Sequence, residues 1–267
     1  LPGIHWLEDR QVAVPQLLHL FPLWVAVFHT LFGLAGSLYA TPFIASLAVV
    51  AVYLAGRHIY RPVVGLAAAL LLTVSVGEIW YARYPNSELL FQMLVFDGLA
   101  FWALFHRTRA PFYAALSGLA LGATFFTRVD AVLLLPALVL YFGYLFVVRR
   151  LQRSLWFFVA PFLAVVSWAG VHLWFFSTTY VLSIYHTTPS RLRYGLLGGA
   201  AALSLVYVLL LIALRLRASE RLATLRQRPL AIGLAALAVA TAAFMYFAYP
   251  SLGSPELVNA YWGETLR

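Results

Sequence analysis

The chain has 267 residues, 63% of them hydrophobic and 10% charged, with a mean hydropathy of +0.88 and a net charge of +9. A soluble domain of this length carries roughly a quarter charged residues, and the apolar residues here come in consecutive runs, so an ordinary globular core is excluded and a membrane chain is expected. Cysteine is absent, which excludes disulfides and thiolate-ligated metal. Every member of the Lys/Arg class is arginine, clustered in short links between apolar runs, which is a topology signal and no nucleic-acid surface.

In chain order, the first apolar stretch is 15–33, PQLLHLFPLWVAVFHTLFG. It holds His19, Pro22 and His29, and histidines facing lipid are costly. It reads as an interfacial helix on the outer surface. Eight further runs approach the ~20 apolar residues that cross a bilayer. They are 34–56, 63–81, 89–105, 111–126, 131–148, 156–176, 194–214 and 230–249. Backbone polar groups find no water in lipid, so each is expected to be helical.

The expected fold class is all-α, a polytopic membrane helix bundle of about eight transmembrane helices plus an N-terminal interfacial helix. Residues 1–33 are assigned to the end of an extracytoplasmic loop, 34–249 to the bundle and 250–267 to the start of another outer segment. The chain starts at Leu1 with no charged leader and both ends are polar, so a piece of a longer protein is expected.

The links alternate in charge. Twelve arginines, among them Arg57, Arg61, Arg107, Arg109 and Arg153, fall in one set; six, among them Arg83 and Arg128, fall in the other. The positive-inside rule places the first set in the cytoplasm and makes the expected location the inner (plasma) membrane. Glu8, Asp9, Glu78, Glu88, Asp130, Glu256 and Glu264 lie in or beside the outer segments, whereas Glu220 is cytoplasmic and Asp97 falls mid-helix. Acids contribute little to topology. A polar site on the outer face accounts for their bias.

Four outer features carry candidate chemistry. In 81–88, YARYPNSE, Arg83 and Glu88 pair across the Pro85 break or present a cation and a carboxylate to a ligand. The plainer alternative has Arg83 reaching lipid phosphate and Glu88 favouring a helix N-terminus. In 127–130, TRVD, Arg128 offers a forked donor suited to phosphate, while Asp130 also suits a helix cap. His19 and His29, after Glu8 and Asp9, form the third feature; a lone histidine there is more often a packing residue than a ligand. The outer loop 177–193 is the fourth. Asp97, an acid within a span, is a functional candidate by default. No Walker, G-x-G-x-x-G, G-x-S-x-G or H-E-x-x-H pattern occurs, which leaves ATP-driven pumps and zinc proteases without support.

With YARYPNSE at 81–88, GLALGATFFTRVD at 118–130 and LLLPALVLY at 133–141, the chain resembles the polytopic GT-C glycosyltransferases, in the bacterial branch akin to protein O-mannosyltransferases and aminoarabinose transferases. VPQLLHLFPLWVAVFHTLFG at 14–33 is similar to the end of that family's first outer loop, and VYLAGRHIYRPVVGLAAALLL at 52–72 to the join between its next helices. The resemblance runs from about Val14 to Tyr141. It implies transfer of a sugar from a polyprenyl-phosphate carrier to a glycan, lipid or protein acceptor at the extracytoplasmic face, with inversion.

It further implies catalytic roles for Glu88 and Asp130 and substrate contacts from Arg83, Arg128, His19 and Tyr81, with Arg128 on the carrier phosphate. No cofactor is fixed by it, and a divalent metal is left open. In relatives the catalytic Asp lies early in the first outer loop, ahead of anything matching Leu1 onward. The competing readings are a transporter or flippase of a lipid-linked substrate, which would use Asp97, and a structural assembly subunit.

Overall fold

The computed structural model describes residues 4–7, 12–15, 18–147 and 152–176. The expected spans 194–214 and 230–249, the loop 177–193, the segment 250–267, and Glu8 and Asp9 lie outside the described residues. A two-stranded antiparallel hairpin comes first, β1 (Ile4–Leu7) against β2 (Val12–Pro15), with Ile4 opposite Pro15 and Leu7 opposite Val12. This hairpin was not expected in a chain read as all-α. The remaining described elements are helices.

Helix α1 (Leu20–Ile59) contains a break at Gly33, whose φ of 70° and ψ of −161° suit only a residue without Cβ. Phe28 and Phe43 face each other across the break with ring centroids 5.3 Å apart. In a straight helix, fifteen residues would separate them by about 22 Å, so the chain turns a corner. Inside it His29 Nδ1 and Ser37 Oγ lie 3.1 Å apart. The apolar run 15–33 and the span starting at 34 are thus separate helical segments, joined at the expected residue. The first begins at Leu20, later than the sequence suggested, because Pro15 closes β2.

The run 63–81 was expected as one span and is instead two helices, α2 (Pro62–Thr73) and α3 (Val76–Ala82), bent by 63° at the break between them. Thr73, Val74, Ser75, Val76 and Gly77 are all weak helix formers, and the Thr73 hydroxyl donates back to the Ala69 carbonyl at 2.8 Å, a bond that bends helices. Helix α4 (Glu88–Thr108) returns alongside the second half of α1. Phe21, Ile44, Ala45, Leu89 and Leu90 form a buried cluster between them.

Helix α5 (Pro111–Ala123) extends by a 3-10 turn at Thr124–Phe126, and a second 3-10 turn (Val129–Leu133) leads into α6 (Leu134–Val147). The chain divides into two compact units; α6 belongs to the second, and α1–α5 with α7 (Trp156–Phe176) to the first. Within the first unit α4 packs on α1 and α5, and α5 packs on α7. Small residues make these approaches close, as membrane helices require when hydrophobicity alone cannot select a partner. A Cβ added at Gly118 would stand 2.3 Å from the Phe158 carbonyl oxygen, and one at Gly122 would stand 2.9 Å from Val165 Cβ.

Among the described residues four helices are long and apolar enough to cross a membrane, or five if the bent α2–α3 pair counts as one. Their outward surfaces are apolar: Leu34 is 74% exposed, Leu71 71% and Trp174 74%. Such a surface suits lipid and not water. The matched pair Gly118→Ala and Gly170→Ala tests the packing. Gly170 has nothing within 4 Å of an added Cβ. In detergent, thermal unfolding followed by tryptophan fluorescence should show Gly118→Ala destabilised by about 1–3 kcal/mol and Gly170→Ala unchanged or slightly stabilised.

Candidate functional site

The α4–α5 connection is only Arg109 and Ala110, so the two helices run antiparallel. The Ser117 hydroxyl donates to the Gly98 carbonyl at 2.7 Å in a buried contact, which sets their register. Counted from that bond, Glu88 lies ten residues back along α4 and Arg128 lies eleven residues beyond Ser117. The two therefore reach the same end. Two buried hydroxyls shape the exit from α5: Thr124 Oγ1 donates to Leu121 O at 2.5 Å and Thr127 Oγ1 to Thr124 O at 2.6 Å. They tighten the last turns into 3-10 geometry and swing Arg128 over the start of α4.

Arg128 Nε and Nη2 donate to the two oxygens of Asp130 at 2.8 and 2.9 Å, a side-on fork, while Nη1 donates to Oε1 of Glu88. Three of its five N–H donors are thereby committed. The hydrogen bonds to Asp130, then the charges of Asp130 and Glu88, hold the guanidinium above its usual range against the desolvation that opposes them. Side-chain exposures of 29% for Arg128, 38% for Glu88 and 49% for Asp130 put the cluster at a surface, not in a core. Its formal charge is one negative. Glu88 also stands at the first position of α4, where a carboxylate is favoured by the helix dipole.

The cluster sits at one end of a cleft of about 340 Å³ lined by Glu88, Phe91, Gln92, Val95, Phe96, Arg128 and Asp130. A second cleft, about 410 Å³, is lined by Val52, Ala68, Leu71, Leu72, Ser75, Gln92 and Phe96. Gln92 and Phe96 belong to both, so the polar mouth adjoins an apolar hollow at the α2–α3 break. Glu78 is 9% exposed. Its carboxylate oxygens accept from Gln92 Nε2 at 3.3 and 3.2 Å.

Of the residues singled out from the sequence, the structure brings Glu88, Arg128 and Asp130 together. Arg83 does not pair with Glu88, whose partner is Arg128; Arg83 is exposed on the α3–α4 loop. Tyr81 is exposed as well, and its carbonyl accepts from Asn86 Nδ2 at 2.5 Å. His19 is not part of the cleft lining. Its ring meets His172 edge-on at 4.8 Å, and His172 in turn lies 5.5 Å from Phe126. Burial, then the neighbouring His172, lowers the His19 pKa. Asp130 lies inside a 3-10 turn that Val129 opens, not at the start of an α-helix, and it grips Arg128 instead of capping.

Gln92 and His172 were missed, and Glu78, noted among the outer acids, had been given no role at the site. Helical spacing places Gln92 and Phe96 one and two turns after Glu88 on one face, but nothing in the sequence links Glu78 or His172 to that face. Among the described residues no three of His, Asp and Glu gather closely enough to hold a metal ion. No family model, curated protein or solved structure matches this chain.

The Glu88–Arg128 contact is testable apart from any activity. A double-mutant cycle with Glu88→Gln and Arg128→Met should give a coupling of about 1 kcal/mol in thermal unfolding, in keeping with a partly exposed pair. Strict additivity would mean that the contact contributes nothing to the fold.

Proposed function

We propose that this chain is part of a membrane glycosyltransferase that moves a sugar from a polyprenyl-phosphate carrier to an acceptor at the extracytoplasmic face. The observation that supports this best is the pairing of a charged, forked-donor mouth at Arg128 with an apolar hollow reached past Gln92 and Phe96. An amphipathic substrate with a phosphate head and an apolar tail matches both halves. The ordered motifs from Val14 to Tyr141 point to the same class. The arginines at Arg57, Arg61, Arg107, Arg109 and Arg153 favour the opposite end for the cytoplasm, which turns the Glu88 end outward.

In this reading an acceptor hydroxyl gives its proton to Glu88, whose Oε2 lies outside the contact with Arg128. The acceptor oxygen attacks the anomeric carbon and forms the new C–O bond. The bond from that carbon to the phosphate oxygen breaks with inversion, and polyprenyl phosphate leaves with the electron pair. Arg128 retains two N–H donors, one on each Nη, for that phosphate. Asp130 holds the guanidinium in place, and Tyr81, Arg83 and His19 serve as outlying substrate contacts.

A second reading, a flippase of a lipid-linked substrate, is favoured by one specific feature. The bent α2–α3 pair with buried Glu78 beside its break resembles the discontinuous helices that transporters use.

In the full-length protein, Glu88→Gln and Arg128→Ala should each lower transfer from a polyprenyl-phosphate sugar by on the order of 10²-fold or more, with membrane insertion intact. Wild-type turnover in both variants would rule out this site. Lipid flux in proteoliposomes that requires Glu78 or Asp97 but not Arg128 would favour the flippase.

A further inference from the structure

The end of the bundle opposite Glu88 is built from five helix termini. Helix α1 runs parallel to α4, since Ile44 and Ala45 cluster with Leu89 and Leu90 while Val52 meets Gln92 and Phe96. Helix α5 runs antiparallel to α4 and parallel to α7, as Gly118 meets Phe158 and Gly122 meets Val165. The C-termini of α1 and α4 and the N-termini of α2, α5 and α7 therefore lie together. Five exposed arginines stand there: Arg57, Arg61, Arg107, Arg109 and Arg153. Among the described residues none of them is in an ion pair, and the acids Glu78, Glu88, Asp97 and Asp130 lie elsewhere.

Helix dipoles explain only part of this. Arg57 and Arg107 occupy the last turns of α1 and α4, where a cation is favoured. Arg109 is the C-cap of α4 and is favoured in the same way, whereas Arg61 and Arg153 stand before the N-termini of α2 and α7, where the dipole disfavours a cation. Helices α2 and α5 each begin with a proline, Pro62 and Pro111, and neither has an acid in its first turn, so no carboxylate there competes for the guanidiniums. Guanidinium donors attract one kind of ligand, an anion with several oxygens.

The corners are also stiff. A Cβ at Gly56 would stand 2.7 Å from Gly65 Cα, so α1 and α2 touch backbone to backbone beside Arg57 and Arg61. Arg109 is held at φ 60° with its N–H on the Phe105 carbonyl at 2.8 Å. The arginines thus project from fixed points flanked by lipid-facing surface, such as Val63 at 75% and Phe112 at 65% exposure.

We propose that this end is a binding site for the phosphate headgroup of an anionic phospholipid, seated across the α1–α2 and α4–α5 corners with its acyl chains on the apolar flank. It is independent of the transferase reading. Positive-inside topology needs only a count of charges, whereas a site needs the particular corners.

The test uses the full chain in nanodiscs of phosphatidylcholine mixed with phosphatidylglycerol, with retained lipid read by native mass spectrometry. Wild type should keep phosphatidylglycerol in preference to phosphatidylcholine, and salt should weaken the preference. Arg57→Gln/Arg61→Gln and Arg107→Gln/Arg109→Gln should each reduce it, roughly five-fold per arginine removed. Inorganic phosphate should not displace the lipid, because it offers nothing to the apolar flank.

Equal retention of both lipids by wild type would overturn the proposal, and that arm depends on no variant folding. Displacement by inorganic phosphate, or an unchanged preference in both double variants, would overturn it too.

Discussion

Between α4 and α5 the backbones lie close enough for the Ser117 hydroxyl to reach the Gly98 carbonyl, and much of the Glu88 end follows from that contact. In an apolar interior such a bond has no water to compete with it, and sliding either helix would leave two buried polar groups unpaired. The register it holds carries Glu88 and Arg128 to the same end. The small residues at Gly98, Gly118 and Gly122 permit the approach, and larger side chains would push α5 away from both α4 and α7. The electrostatic cluster is thus a consequence of close packing that lies well below it in the bundle.

The cluster itself combines a constraint with an opening. Asp130 takes the side of the guanidinium and Glu88 one Nη, so the arginine cannot rotate freely, yet two donors remain. A phosphate arriving there meets a cation already shared by two carboxylates, which favours a ligand that also brings donors or an apolar tail over a bare anion. Gln92 stands where the polar and apolar hollows meet, and the Glu78 contact orients its amide. The bend at the α2–α3 break makes that contact, since a straight helix through Thr73–Val76 would carry Glu78 along a different path.

The two ends of the bundle differ in kind. Near Glu88 the charges neutralise one another within a cleft, whereas near Arg57 they stand apart with no described carboxylate among them. Charge interspersed with acid suits a site that must hold and release a substrate. Cations with no carboxylate among the described residues near them, beside a lipid-facing surface, suit an anionic neighbour.

Length and hydropathy determined the six described runs as helices, because a chain in lipid must satisfy its backbone within each segment. The boundary at Gly33 was legible from the histidines before it and the unbroken apolar run after it, whereas its positive φ was not. The residue types at Glu88, Arg128 and Asp130 were also legible, along with their common end. Their partners were not. That Glu88 would meet Arg128 and leave Arg83 alone, that 63–81 would bend, and that Glu78 would reach Gln92 depended on helix register and crossing. These are set by packing between distant small residues, and no local periodicity encodes them. Local composition decided which segments are helical and apolar; only tertiary contact decided which charges meet.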